Sequence, residues 1–215
     1  MIGEMDINYN KANKINSYEV AKRILDFTVS LIALIILSPL LLIISILIAT
    51  TSKGPVIFKQ DRVGKDGKIF KMYKFRSMVV NAEELKEQLE KHNEMNGPMF
   101  KIKNDPRITK IGRFIRKTSI DELPQLINVL KGEMSLVGPR PSLPKEVKEF
   151  EPWMLERLNV LPGLTCYWQV MGRNEIEFNE WMKLDIKYVK ERNFLLDLKL
   201  IFKTFFVLFG DESAS

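Results

Sequence analysis

One cysteine (Cys166) and one histidine (His92) are all that 215 residues contain, so neither a disulfide framework nor a Cys/His zinc site can be assembled. The same shortage argues against Cys–His nucleophilic chemistry, which would rest on a lone His92 in charged helical surroundings. Internal repeats and low-complexity tracts are missing. The apolar run described below is too long, starts too late and lacks a small-residue cleavage site, so it does not read as a cleaved signal peptide. Acidic residues are the minority charge: 27 against 33 Lys and Arg, a net charge of +6 and a pI near 9.3. That balance calls for an anionic partner, whether nucleic acid, lipid headgroup or phosphorylated substrate. No nucleic-acid-binding module pattern accompanies it.

Charge is absent between Phe27 and Ala49. As one helix this run of about 23 residues reaches ~35 Å, against ~30 Å of hydrocarbon in a bilayer. Pro39 lies near its middle, lacks an amide and clashes with the preceding turn, so a break at Ser38–Pro39 into two arms is expected. Lys11, Lys14, Lys22 and Arg23 precede the run, and Lys53, Lys59, Arg62, Lys65, Lys68, Lys71, Lys74 and Arg76 follow it. Both flanks therefore carry a cytoplasmic signature, which a single span cannot satisfy. A re-entrant hairpin can, provided Ser38 or its neighbours satisfy the carbonyl freed at the break; an ordinary kinked span is the alternative.

The remaining ~160 residues suffice for one globular domain. Residues 55–59 and 69–75 read as short strands around a turn at Asp66–Gly67. Ala82–His92 reads as a charged surface helix, with Glu83/Lys86 and Glu87/Lys91 spaced for ion pairs. A loop through Asn96–Gly97–Pro98 and Asn104–Asp105–Pro106 leads to helices near 109–117 and 122–130, the second closed by Gly132. Helices are also expected over 181–192 and 195–209. The last is too interrupted by charge to span a bilayer and suits the membrane interface, or else the core of a soluble lobe.

Chemistry-bearing residues concentrate between 113 and 141. Asp121 and Glu122 stand at a helix start, where Ser119-x-x-Glu122 has capping-box spacing. Pro124 instead suits a helix begun at Glu122, leaving Asp121 at the cap, where backbone amides could hold its carboxylate or an incoming phosphate. Arg140, between Pro139 and Pro141, is presented on a stiff extended stalk suited to an anion. Strand alternation places Lys74 and Arg76 on one face with Phe75 behind them.

In order along the chain, Ser38–Pro39, Lys74–Met78, Asp105–Thr109, Thr118–Asn128, Ser135–Pro141, Pro162–Thr165, Gln169–Val170 with Gly172–Arg173, and Asp197–Leu198 together resemble the bacterial sugar transferase family of monotopic phosphoglycosyl transferases. The resemblance covers residues 17–209 and departs at Cys166, where many members have glycine. Larger relatives place several spanning helices before this domain; with about 20 residues ahead of it, the chain is expected to be a minimal or truncated form.

The resemblance implies an α+β, mainly helical fold: a polar segment over 1–16, a re-entrant membrane helix over 17–52 and a cytoplasmic catalytic domain over 53–215 with interfacial helices at its end. It implies transfer of a sugar-1-phosphate from a nucleotide diphosphate sugar, UDP being the expected nucleotide, to polyprenol phosphate at the inner membrane. In that scheme Asp121 is the nucleophile and Glu122 is associated with Mg²⁺. Lys74, Arg116, Arg140 and Arg173 are the family-matched phosphate binders, and Asp197 is an acidic position near the site. Sugar identity and oligomeric state are not encoded in these motifs. A membrane-tethered basic binding module or a scaffold for polysaccharide export would instead leave Asp121–Glu122 as a helix cap.

Overall fold

A computed structural model describes residues 17–89, 102, 105–171 and 176–210. The polar segment 1–16, the end of the charged helix, the 96–98 turn, Asn104 and Arg173 lie outside the described residues. Helix α1 runs from Ser17 to Thr51. Among the described residues it alone is long and apolar enough to cross a membrane. The helix continues through Ser38–Pro39 as one element containing Pro39. The reason is local: Pro39 cannot donate to the Ile35 carbonyl, and the Ser38 hydroxyl does so at 2.8 Å. Lys22, Asp26 and Ser30 are buried in the first half of α1, Ile44 and Ile48 near its end. Between them Leu31, Ile32, Ile35, Ile36, Leu42 and Ile43 face outward.

Strands β1 (Ile57–Val63) and β2 (Ile69–Phe75) form an antiparallel hairpin, its turn carried by Asp66 and Gly67 in the left-handed region. Phe58 pairs with Lys74, Gln60 with Met72 and Arg62 with Phe70. Directly paired residues share a face, so Arg62 and Lys74 project together, while Lys59, Asp61, Lys71 and Tyr73 take the other side. Arg76 lies beyond the strand. It is buried, and donates to the Pro55 and Ser52 carbonyls and the Ser52 hydroxyl at 2.5–2.8 Å, fastening the exit of α1.

Helix α2 (Ala82–Leu89) precedes α3 (Lys110–Lys117), which is capped by Thr109, whose hydroxyl accepts from the Gly112 amide at 2.9 Å. Asp105 and Arg107 form a buried ion pair at 2.6 Å. A single 3-10 turn, Ile120–Glu122, follows α3, and helix α4 spans Gln125–Lys131. The expected helix from Glu122 thus starts three residues later. Pro124 occupies the cap position, and Gly132 ends the helix in the left-handed region. Buried Asn128 ties α4 to β2, accepting from the Tyr73 amide at 3.0 Å and donating to the Lys71 carbonyl at 2.8 Å. Arg23 of α1 donates to the Val129 and Leu130 carbonyls in the last turn of α4, both at 2.6 Å.

A second, parallel pair was not legible in the sequence: β3 (Ser135–Val137) beside β4 (Gly163–Thr165). Helices α5 (Pro144–Val147), α6 (Tyr167–Val170), α7 (Phe178–Glu191) and α8 (Phe194–Gly210) complete the domain, with an irregular 3-10 stretch at Pro152–Asn159. Met72, Leu126, Val129, Met134, Val137, Cys166, Tyr188 and Leu200 form the central core. Cys166 is extended (φ −161°), a conformation open to any residue, so its departure from glycine leaves the backbone unstrained. On α8, Asp197 and Leu200 are buried and Thr204 bonds Thr165, whereas Leu195, Phe202, Phe205 and Phe206 are exposed.

Candidate active site

The capping box does not form. Ser119 sits in the left-handed region (φ 55°) and makes no side-chain cap, so the 3-10 turn presents Asp121 and Glu122 for other work. Asp121 is 7% exposed. Burial pushes its carboxyl up to about 6, against the pull of Lys74 and Arg116, with Glu122 adding to the rise. Glu122 accepts from Lys74 at 2.6 Å and lies 4.0 Å from Arg140. Burial draws the Lys74 ammonium down from its ordinary value while Glu122 counters it.

Arg62, Lys74, Glu122, Gln125, Arg140 and Gln169 line the cleft at this point. The Arg140 guanidinium stands 5.9 Å from the centre of the Trp168 ring. Its stalk is held at every carbonyl. Pro139 O accepts from Gly163 N at 2.9 Å, Arg140 O from Arg157 at 2.7 Å, Pro141 O from Arg62 at 2.8 Å and Ser142 O from Val63 N at 2.9 Å. Arg157 is itself buried between the rings of Phe150 and Trp181 and paired with Asp185 at 2.6 Å. Glycine is required where this stalk meets β4, because a Cβ on Gly163 would lie 2.1 Å from the Gly138 amide nitrogen.

Of the residues singled out in the sequence, Lys74, Glu122 and Arg140 line this cleft, and Asp121 lies beside them within electrostatic reach of Lys74, Glu122 and Arg116. Arg173 falls outside the described residues. Asp197 does not line the cleft: it is fully buried where α1, α7 and α8 meet, accepting from Lys22 at 2.7 Å, Tyr188 at 2.7 Å and Tyr18 at 2.9 Å. Arg157, Asp185 and Gln125 were missed, since nothing in their local sequence marks them. Arg62 was read only as a flanking charge, although hairpin register with Lys74 would have placed it on the site face.

Mg²⁺ commonly takes only one or two carboxylates, completing its shell with substrate phosphates and water. Glu122 fits that sparse role, and the described residues contain no group of three or more His, Cys, Asp or Glu suited to an all-protein metal site.

An acidic pair set among guanidinium and ammonium groups, in a domain packed along a helix long and apolar enough to cross a membrane, is the arrangement of a membrane-associated sugar transferase. The chain belongs to the bacterial sugar transferase family, whose model matches residues 17–211. It is 50% identical over 192 residues to the galactosyl transferase CpsE of Streptococcus agalactiae, covering 87% of this chain and 42% of that protein. It is 44% identical over 204 residues to a UDP-glucose:undecaprenyl-phosphate glucose-1-phosphate transferase of Klebsiella pneumoniae, covering 91% and 41%. A putative undecaprenyl-phosphate N-acetylgalactosaminyl 1-phosphate transferase of Bacillus subtilis is 44% identical over 168 residues, covering 78% and 82%. The chain thus spans less than half the length of the first two.

Proposed function

We propose that this chain transfers a sugar-1-phosphate from a nucleotide diphosphate sugar, UDP-hexose being the expected donor, to polyprenol phosphate, and so initiates a surface polysaccharide. Asp121 carries the reading: a nearly buried carboxylate, ionised at neutral pH, held among Lys74, Arg116 and Glu122. Its oxygen attacks the sugar-bearing phosphorus, the phosphoanhydride bond breaks, and nucleoside monophosphate departs with the bonding pair. The polyprenol phosphate oxygen then displaces Asp121, regenerating the carboxylate and forming the lipid-linked diphosphate sugar.

An anionic nucleophile and a diphosphate repel by roughly 4 kcal/mol per unit-charge pair at ~4 Å and an effective dielectric of ~20. Lys74, Arg116 and Arg140, with Arg173 as a further cation, offset that repulsion and steady the leaving phosphate. Bound Mg²⁺, held by Glu122, would add charge neutralisation on the diphosphate. The reading places α1 as a re-entrant element at the cytoplasmic face of the inner membrane. What supports this is that both ends of α1 pack on one domain, Lys22 and Asp26 through β3 and α8, Ile44 and Ile48 through Phe75 and Ile115. The exposed apolar face of α8 suits the same interface.

The test is intact-mass spectrometry of enzyme quenched after exposure to UDP-hexose and Mg²⁺, which should show a hexosyl-phosphate adduct absent from Asp121→Asn. Undiminished lipid product from that variant would end the reading.

A further inference from the structure

Arg62 is the charged group whose surroundings the ion pairs above leave unexplained. It is 8% exposed, yet no carboxylate among the described residues lies within 4.0 Å of its guanidinium. Its two terminal nitrogens donate to neutral oxygens, Pro141 O at 2.8 Å and Gln60 Oε1 at 2.7 Å, and its buried Nε has no partner. Burial brings the Arg62 guanidinium down to about 10, and the Arg140 charge adds to the fall against the pull of Glu146 and Glu122. Burying an arginine with no carboxylate in contact, under the charge of a second arginine, is costly, and an anion shared by the two would offset it.

The cleft is where such an anion would meet both arginines. Register puts Arg62 on the same hairpin face as Lys74, and both line the cleft with Arg140 and Glu122. Among the described residues these four are the charged ones lining the cleft, three cations and one carboxylate. Arg62 also holds the carbonyl directly after Arg140 in the stalk. That bond ties the Arg62 guanidinium to the backbone that carries Arg140.

We propose that Arg62 is a further binding residue of this site, which together with Arg140 forms a two-guanidinium receptor for a diphosphate. This deepens the proposed function, resting on it for the identity of the diphosphate as the donor's. Arginine suits the task because its planar donors match phosphate oxygens while remaining charged when buried.

Inorganic pyrophosphate separates this inference from the transfer chemistry, because it needs neither sugar nor lipid. Isothermal calorimetry on the full chain in lipid nanodiscs should show pyrophosphate binding that Arg62→Gln weakens at least tenfold and Arg62→Lys weakens less, with the melting temperature of each variant recorded alongside. Binding by Arg62→Gln within twofold of wild type would overturn the inference and leave the transferase reading standing. Loss of pyrophosphate binding together with no hexosyl-phosphate adduct in wild type would uphold the receptor and remove the transferase. If Arg62→Gln does not fold, phenylglyoxal labelling of the wild type decides. Pyrophosphate should slow modification of the Arg62 peptide severalfold, and equal rates with and without it overturn the proposal.

Discussion

A carboxylate that must be both buried and ionised works against the fold that holds it. The Asp121 carboxyl titrates near 6 because burial disfavours its anion more than Lys74 and Arg116 favour it. The folded value lies above the ordinary one of 3.8. Stability contributed by the protonated carboxyl is therefore fully present below that ordinary value and lost as pH rises through about 6. A shift of this size is worth up to roughly 3 kcal/mol. Asp121→Asn should consequently abolish turnover while leaving the neutral-pH melting temperature equal or higher, as calorimetry at pH 7.5 would show. A structural cap would give the opposite pair of results. The proposed attack requires the anion, so the rate of nucleoside monophosphate release should fall about tenfold per pH unit below 6 and level off above 7, in a profile measured at saturating donor. Asp185, which burial against Arg157 also raises to about 6, adds to the stability slope but touches no part of the cleft lining.

Elements were legible in the sequence to the extent that their cause is local. The β1–β2 hairpin showed through alternation and its Asp66–Gly67 turn, and α3 was expected within a residue of where it lies. What was not legible depends on distant chain. Strands β3 and β4 are three residues each and exist because two glycine-bearing motifs lie backbone against backbone, a contact that no window around either reveals. The capping-box reading of Ser119 failed because spacing presumes an extended cap residue, whereas this one is left-handed. The glycine contact makes its own prediction. Gly163→Ala would force a methyl to 2.1 Å from Gly138 N, with backbone on both sides unable to yield. Destabilisation of about 3 kcal/mol or more is expected, with Arg140 displaced, so pyrophosphate affinity and melting temperature should fall together. At the other end of the fold, Lys22→Met would strand the Asp197 carboxylate in the interior, at a cost of about 3–5 kcal/mol. Adding Asp197→Asn should recover much of that loss, which a double-mutant cycle of thermal unfolding in detergent would measure.

At the scale of the whole molecule the question is how one apolar helix meets a bilayer. Helix α1 has 35 residues, enough for a span, but its two ends serve the same domain. Lys22 and Asp26 hold β3 through the Val137 carbonyl and Leu136 amide at 2.9 Å, and Arg23 caps α4. Thirty residues on, Ser52 is held by Arg76, and Ile44 and Ile48 are covered by Phe75 and Ile115. A domain confined to one side of a membrane can touch both ends only if the helix does not pass through. Ser38 removes the obstacle to immersion in the middle, since the Ile35 carbonyl that Pro39 abandons would otherwise be bare in hydrocarbon. With the buried Cys166 replaced by serine, single cysteines at Asn13 and Lys53 report the two flanks separately. An impermeant maleimide should label both in inverted inner-membrane vesicles and neither in right-side-out vesicles. Labelling of one from each side would establish a full span, and Asp121 would then need another route to a phosphate that stays at headgroup height.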